Sequence, residues 1–232
     1  MKHQDQETQA QAIRRDLLDA MATLDGRRGE WTRAGAPAGY CRAQEALANP
    51  EYDVVVCGEA KRGKSTMVNA ILGRPLLPTG VSETTSQVFR VHAAPDESYA
   101  LVFEDGHRES ISKEDMVRYG SQSTVQLEGL PMFRGRMLRW IEVGTPGAFL
   151  PAGIHLVDTP GLGALYASHA EVTHRYITRA DAFVFVLDSG QPLTQQEMRF
   201  LEKAFAVSPN AMFVQTKIDQ HAEEAWRTIQ QR

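Results

Sequence analysis

Two hydrophobic patterns divide the chain. Between Gln4 and about Asp25, the apolar residues Ile13, Leu17, Met21 and Leu24 recur at spacings of four, four and three, and Gly26 and Gly29 follow. This spacing predicts one face of an amphipathic helix. Residues 26–40, rich in Gly, Arg and Ala with one Pro, read as a linker, and residues 41–48 as a short helix before Pro50. Beyond Pro50 the pattern changes to short, continuous apolar runs: YDVVVC at 52–57, IHLVD at 154–158, DAFVFVLD at 181–188 and AMFVQT at 211–216. Such runs predict strands buried within a sheet. SQVFRVHA, YALVFEDG and MLRWIEVG predict further strands, with a helical piece, SKEDMVRYG, among them. A helix over STMVNAILG follows the first strand. Another follows Pro192, with Glu197, Arg199, Glu202 and Lys203 read as its wet face. The expected architecture is α/β, a mixed and mostly parallel sheet flanked by helices. Residues 1–50 form an N-terminal helical segment with a linker, and residues 51–232 form the main domain.

Composition narrows the function classes. With 232 residues, 42% of them hydrophobic, the chain can bury one core plus an appendage. A net charge of -4 and a pI near 6.0 argue against a protein that coats nucleic acid, which needs a surplus of Lys and Arg on one face. Two cysteines, Cys41 and Cys57, make no disulfide framework and suit a reducing cytoplasm. The polar N-terminus, MKHQDQETQAQAIRR, does not have the pattern of a signal peptide, and no stretch has the apolar length of a membrane span. Membrane contact is therefore expected to be peripheral, at the inner face of the cell membrane, or to lie outside this chain.

The chemistry sits where the apolar runs end. YDVVVC leads directly into GEAKRGKST, in which Gly58, Gly63, Lys64 and Ser65 satisfy G-x-x-x-x-G-K-S/T. In such a loop backbone N–H groups, here those of Gly58, Glu59, Ala60, Lys61, Arg62 and Gly63, point inward to cradle phosphates, and the helix starting at Lys64 adds its positive end. Lys64 would reach the β- and γ-phosphates, Ser65 would ligate Mg²⁺, and Thr66 is placed at the α-phosphate. The loop alone serves ATPases, kinases and GTPases. IHLVDTPG ends in D-x-x-G, setting Asp158 beside the metal and the Gly161 N–H at the γ-phosphate. AMFVQTKID ends in T-K-x-D, Thr216, Lys217 and Asp219. A carboxylate there can accept both hydrogen bonds from the N1–H and N2–H₂ edge of guanine, a pair that adenine does not present, while the Lys217 stem lies along the base. The three motifs in this order select GTP and GDP. The threonine that completes the metal shell is sought in PTGVSETTS, with Thr85 preferred over Thr84 because it joins a loop to the next strand. His169 and His174, five apart, share no helix face and lack companions for a transition-metal set.

The stretches GEAKRGKSTMVNAILG, LLPTGVSETTSQV, LVDTPGLG and TKID together resemble the G domain of the dynamin superfamily, and within it the bacterial dynamin-like proteins. The 73 positions from Thr85 to Asp158 hold strands of their own, an enlargement typical of such domains. The resemblance covers about residues 51 to 219. It implies a P-loop GTPase fold, hydrolysis of GTP with Mg²⁺, pairing of two G domains and membrane remodelling. Two positions depart from the pattern. Leu162 stands where Ras-like enzymes orient water with a glutamine, which dynamin-like proteins also lack, and Arg62 stands where eukaryotic dynamins carry a serine. Lys61 or Arg62 could fold over the phosphates as an internal cationic finger, as related guanylate-binding proteins use an arginine at the position matching Lys61. The alternative is a solvated loop cation. After TKID, HAEEAWRTIQQR reads as helical, and the last strand and helix of a GTPase fold are expected to be missing. Two further readings stay open: a slow or non-catalytic GTP-dependent switch, and a ribosome-assembly-type GTPase, against which the acidic balance counts.

Overall fold

A computed structural model describes residues 12–23, 47–48, 50–79, 87–121, 132–133, 135–146, 150–162, 176, 180–208 and 210–220. Thr84, Thr85, His169, His174, Cys41, Leu24 and the stretch 221–232 lie outside the described residues. The chain divides into two compact units, Met1–Glu51 and Tyr52–Arg232. In the first, residues 12–23 form helix α1. Arg14 reaches from it to the Leu47 and Ala48 carbonyls at 2.5 and 2.6 Å, and Ile13 and Leu17 are exposed.

The second unit is built on one sheet. Its strands are β1 (Tyr52–Cys57), β2 (Phe89–Ala93), β3 (Ser98–Phe103), β4 (Arg108–Ser110), β5 (Met132–Phe133), β6 (Arg136–Thr145), β7 (Ile154–Asp158), β8 (Ala182–Asp188) and β9 (Ala211–Thr216). They lie in the order β4-β3-β6-β2-β7-β1-β8-β9, with β5 paired to β6. The sheet is mixed. Parallel pairing joins β7, β1, β8 and β9, the four continuous apolar runs, and also β2 with β6. The antiparallel share comes from the insertion, where β3 pairs with β4 and β6, and from β2 against β7. Strand β4, which follows YALVFEDG, is not among the strands that the sequence pattern predicts. It turns back at Gly106, whose positive φ and N–H to the Phe103 carbonyl close a tight turn.

Helix α2 (Lys64–Leu72) covers one face of this sheet and α4 (Gln195–Val207) the other. The first core holds Val56, Val68, Phe89, Leu101 and Ile141, joined by Met116 of α3 (Lys113–Gly120). The second holds Val55, Val157, Phe183, Phe185, Phe200 and Leu201. A fully buried Val, Leu or Phe contributes roughly 1.5–3 kcal/mol, so these layers fix where the strand ends lie. Helix starts are set locally. Ser112 accepts from the Asp115 N–H at α3, and Thr194 with Glu197 makes a capping box at α4. The wet-face expectation holds for Arg199, Glu202 and Lys203 but is corrected at Glu197, which is 0% exposed. Periodicity alone cannot anticipate that a buried cation faces it.

Candidate functional site

Register brings the three motifs to one edge of the sheet. Val56 of β1 pairs with Asp158 at the end of β7, and Asp188 at the end of β8 pairs with Thr216 at the end of β9. The glycine loop begins as β1 ends. Gly58 has φ 141°, and a Cβ there would lie 2.6 Å from the Val186 carbonyl oxygen, so only glycine passes this point. Gly63, also in the left-handed region, caps α2, and Lys64 opens that helix.

Below the loop the charged groups are tightly enclosed. Lys64 is buried and donates to the Glu59 carbonyl at 3.0 Å. Burial pushes its ammonium below the ordinary lysine value, opposed most by the nearby Asp158 carboxylate. Asp158 is 0% exposed; its Oδ2 accepts from Ser65 Oγ at 2.5 Å, while its Oδ1 has no hydrogen-bond partner among the described residues. Burial raises its pKa to about 6, against the lowering effects of Lys64 and Ser65. A buried carboxylate with an orphaned oxygen beside a hydroxyl is a hard-oxygen donor set of the kind that suits Mg²⁺. Ser65 and Asp158 therefore fit the metal role expected of them.

The loop after β7 is pressed against the glycine loop. Thr159 Oγ1 donates to the Val56 carbonyl at 2.8 Å, and the Leu162 N–H to the Gly58 carbonyl at 3.2 Å. A Cβ on Gly161 would lie 2.4 Å from the Ala60 amide nitrogen, so this contact requires glycine. Leu162 is buried, and its carbonyl accepts from the Gln196 side-chain amide.

The third motif is tied to the first. Thr216 Oγ1 lies 2.6 Å from the Arg62 carbonyl and 2.9 Å from that of Leu187, with one proton to share between them. Lys217 takes a positive φ of 57° and donates from Nζ to Asp188 Oδ2 at 2.6 Å; Ser189 Oγ donates to its carbonyl at 2.8 Å. Burial works against the Asp188 charge, but Lys217 and the Gly190 N–H hold it below the ordinary carboxylate value. The Lys217 stem is thus fixed in place, and Asp219 stands exposed in a short 3₁₀ turn, Ile218–Gln220.

Two sequence expectations meet a different arrangement at Arg62. It is neither a solvated loop cation nor directed into the loop's concavity as a finger. Its side chain is 2% exposed, and its guanidinium binds Glu197 Oε2 at 3.0 Å and Glu59 Oε2 at 3.3 Å. Lys61 is exposed, with φ 61°. Glu197, Asp188 and Gln196 were not anticipated as members of the site. Asp188 had a readable signal, a carboxylate at the end of an apolar strand. Glu197 and Gln196 had none.

Comparison with known proteins identifies the family. The Dynamin family model matches residues 54–218. A protein from Caldicellulosiruptor, described only as an uncharacterized protein in the xynA 3' region, is 35% identical over 76% of this chain and 42% of its own length. The isoniazid-induced protein IniA of Mycobacterium tuberculosis is 31% identical over 81% of this chain and 29% of its own, and the bacterial dynamin-like protein of Nostoc punctiforme 30% over 69% and 24%. A solved structure from work on an oligomerised bacterial dynamin pair superposes with a TM-score of 0.58 at 19% identity, covering 80% of this chain and 29% of that one. The chain thus spans less than half the length of these curated relatives.

Proposed function

The chain belongs to the dynamin family, and from that premise we propose that it is a G domain that binds GTP and hydrolyses it to GDP and phosphate. The observation that carries this reading is the enclosed trio beneath the glycine loop: Lys64, Ser65 and the buried, half-satisfied Asp158. Water attacks the γ-phosphate, and the bond from phosphorus to the β–γ bridging oxygen breaks. The charge that develops is met by the loop N–H groups and by Lys64, whose position is already set by Glu59. Mg²⁺, held by Ser65 and Asp158 with Thr85 assigned as the third ligand, supplies neutralisation of the phosphate oxygens when bound. Thr66 is assigned to the α-phosphate and the Gly161 N–H to the γ-phosphate. Asp219 reads the guanine edge while Lys217 lies along the base.

Leu162 offers no group to orient water, and its backbone is engaged at both the N–H and the carbonyl. An isolated domain is therefore a slow enzyme, and a second G domain is the partner that completes the site. No helix among the described residues is long and apolar enough to cross a membrane. Membrane remodelling, through peripheral contact at the cytoplasmic face by segments other than this domain, is the role that fits the family. GTP turnover per molecule, followed as protein concentration rises with Lys64→Ala as the blank, tests the reading. A rate that climbs with concentration supports paired G domains. A flat, near-zero rate with tight GTP binding would replace the enzyme with a switch.

A further inference from the structure

Arg62 lies in the phosphate-binding loop, yet its side chain ends in the first turn of α4. There Nη2 donates to Glu197 Oε2 at 3.0 Å, to Glu59 Oε2 at 3.3 Å and to the Pro192 carbonyl at 3.4 Å, and Nη1 donates to Gln191 Oε1 at 3.1 Å. Glu197 is itself held still. The same Oε2 accepts from the Thr194 N–H at 2.9 Å, and the Glu197 N–H donates to Thr194 Oγ1 at 3.1 Å. The Arg62 carbonyl, meanwhile, receives Thr216 Oγ1 at 2.6 Å. The residue before Gly63 and Lys64 is therefore fixed through its backbone to β9 and through its side chain to α4.

Stability alone does not account for this arrangement. Two charges have been taken out of water, and Arg62 Nε and Glu197 Oε1 remain buried without partners among the described residues. An apolar pair of similar volume would serve packing as well or better. What an apolar pair cannot do is set direction, because charge-assisted hydrogen bonds fix the angle as well as the distance. The neighbouring residue points the same way: Gln196 holds the Leu162 carbonyl, and the Leu162 N–H is bonded to Gly58. Consecutive residues of one helical turn thus hold both loops that would surround the γ-phosphate.

We propose that Glu197 is a positioning residue of the nucleotide site, which acts through Arg62 to keep the glycine loop in its phosphate-receiving arch. The inference rests on the reading of this chain as a guanine-nucleotide binder. Nucleotide affinity then depends on a carboxylate that never touches the nucleotide. It also follows that the Arg62 guanidinium stays with Glu197 when nucleotide binds and makes no contact with phosphate.

The test measures GDP affinity by calorimetry with Mg²⁺, and thermal unfolding, for the full chain and for Glu197→Gln, Arg62→Met and the double variant. Glu197→Gln keeps an acceptor for the capping box and removes only the charge. Each single variant is expected to weaken GDP binding by about tenfold or more, with the double variant no weaker than the poorer single, because no lone charge is then left buried. A lowered melting temperature with GDP affinity within about twofold of the parent would reduce the pair to a fold element and overturn the proposal. Additive losses in the double variant would do the same. Faster GTP turnover in Glu197→Gln would also overturn it, since a released guanidinium would then be acting on the phosphates. Absence of GDP binding by the unmodified chain would instead remove the nucleotide reading, and the inference with it.

Discussion

The two ends of the proposed nucleotide site are built differently. The phosphate end lies in the middle of the sheet, where β1 has β7 on one side and β8 on the other, and its Asp158 and Lys64 are buried. The base end lies on β9, the last strand in the order, where Asp219 is exposed and Met212 is 62% exposed. In the proposed reaction, charge stabilisation would draw on a region already enclosed and low in dielectric, where each interaction counts for more. In the proposed reading, recognition of the base falls to β9, the last strand in the order among the described residues. It is steadied by one enclosed link, Lys217 to Asp188, and by Thr216 reaching back to Arg62. Chemistry and selectivity can thus be damaged separately.

The largest separation is expected from Lys64→Ala, which should cut GTP turnover by about a hundredfold to a thousandfold, as loss of a preorganised donor does. Steady-state phosphate release measures it, and retained turnover would place the chemistry elsewhere. At the other end, Asp219→Asn should change the ratio of GTP to xanthosine triphosphate affinity by about a hundredfold with little change in maximal turnover. Competition binding shows this directly, and an unaltered ratio would separate Asp219 from the base. Gly161→Ala should follow, lowering GTP affinity by about tenfold, because forcing a methyl against backbone costs roughly 1–3 kcal/mol. Insensitivity there would mean that the two loops part easily.

The smallest effect near neutrality is that of pH on the phosphate end alone. Burial raises the Asp158 pKa to about 6, so the carboxylate is ionised above that value and increasingly protonated below it. Metal ligation needs the ionised form. Mg²⁺-dependent GDP affinity should therefore be level near neutrality and fall by about tenfold per unit once the pH is well below 6. The metal-independent part should stay flat. Titration with and without chelator distinguishes the two, and parallel curves would mean that Asp158 is not the group titrating.

The placement of much of the candidate site was legible because it consists of local sequence at strand ends. The loop from Gly58 to Ser65, the D-x-x-G residues and T-K-x-D each carry their own geometry, and the apolar runs before them give parallel strands that end on one side of the sheet. The insertion was less legible. That β2 runs antiparallel to β7 and parallel to β6 depends on connections rather than on any window of sequence. Least legible was the partner of Arg62. Glu197 lies 135 positions away, and in its helix a carboxylate two positions beyond Gln195 looks like ordinary surface until the guanidinium is placed against it.

The contact between Gly161 and Ala60 sets a direction for movement. With the Gly161 backbone already so close that a single added carbon would sit 2.4 Å from the Ala60 nitrogen, the segment after β7 has no room to advance further on the glycine loop. It can only withdraw. In the proposed G domain, a change of nucleotide that moved this segment would carry it away from the glycine loop, so the compact arrangement would be the rest position and the outward stroke the informative one.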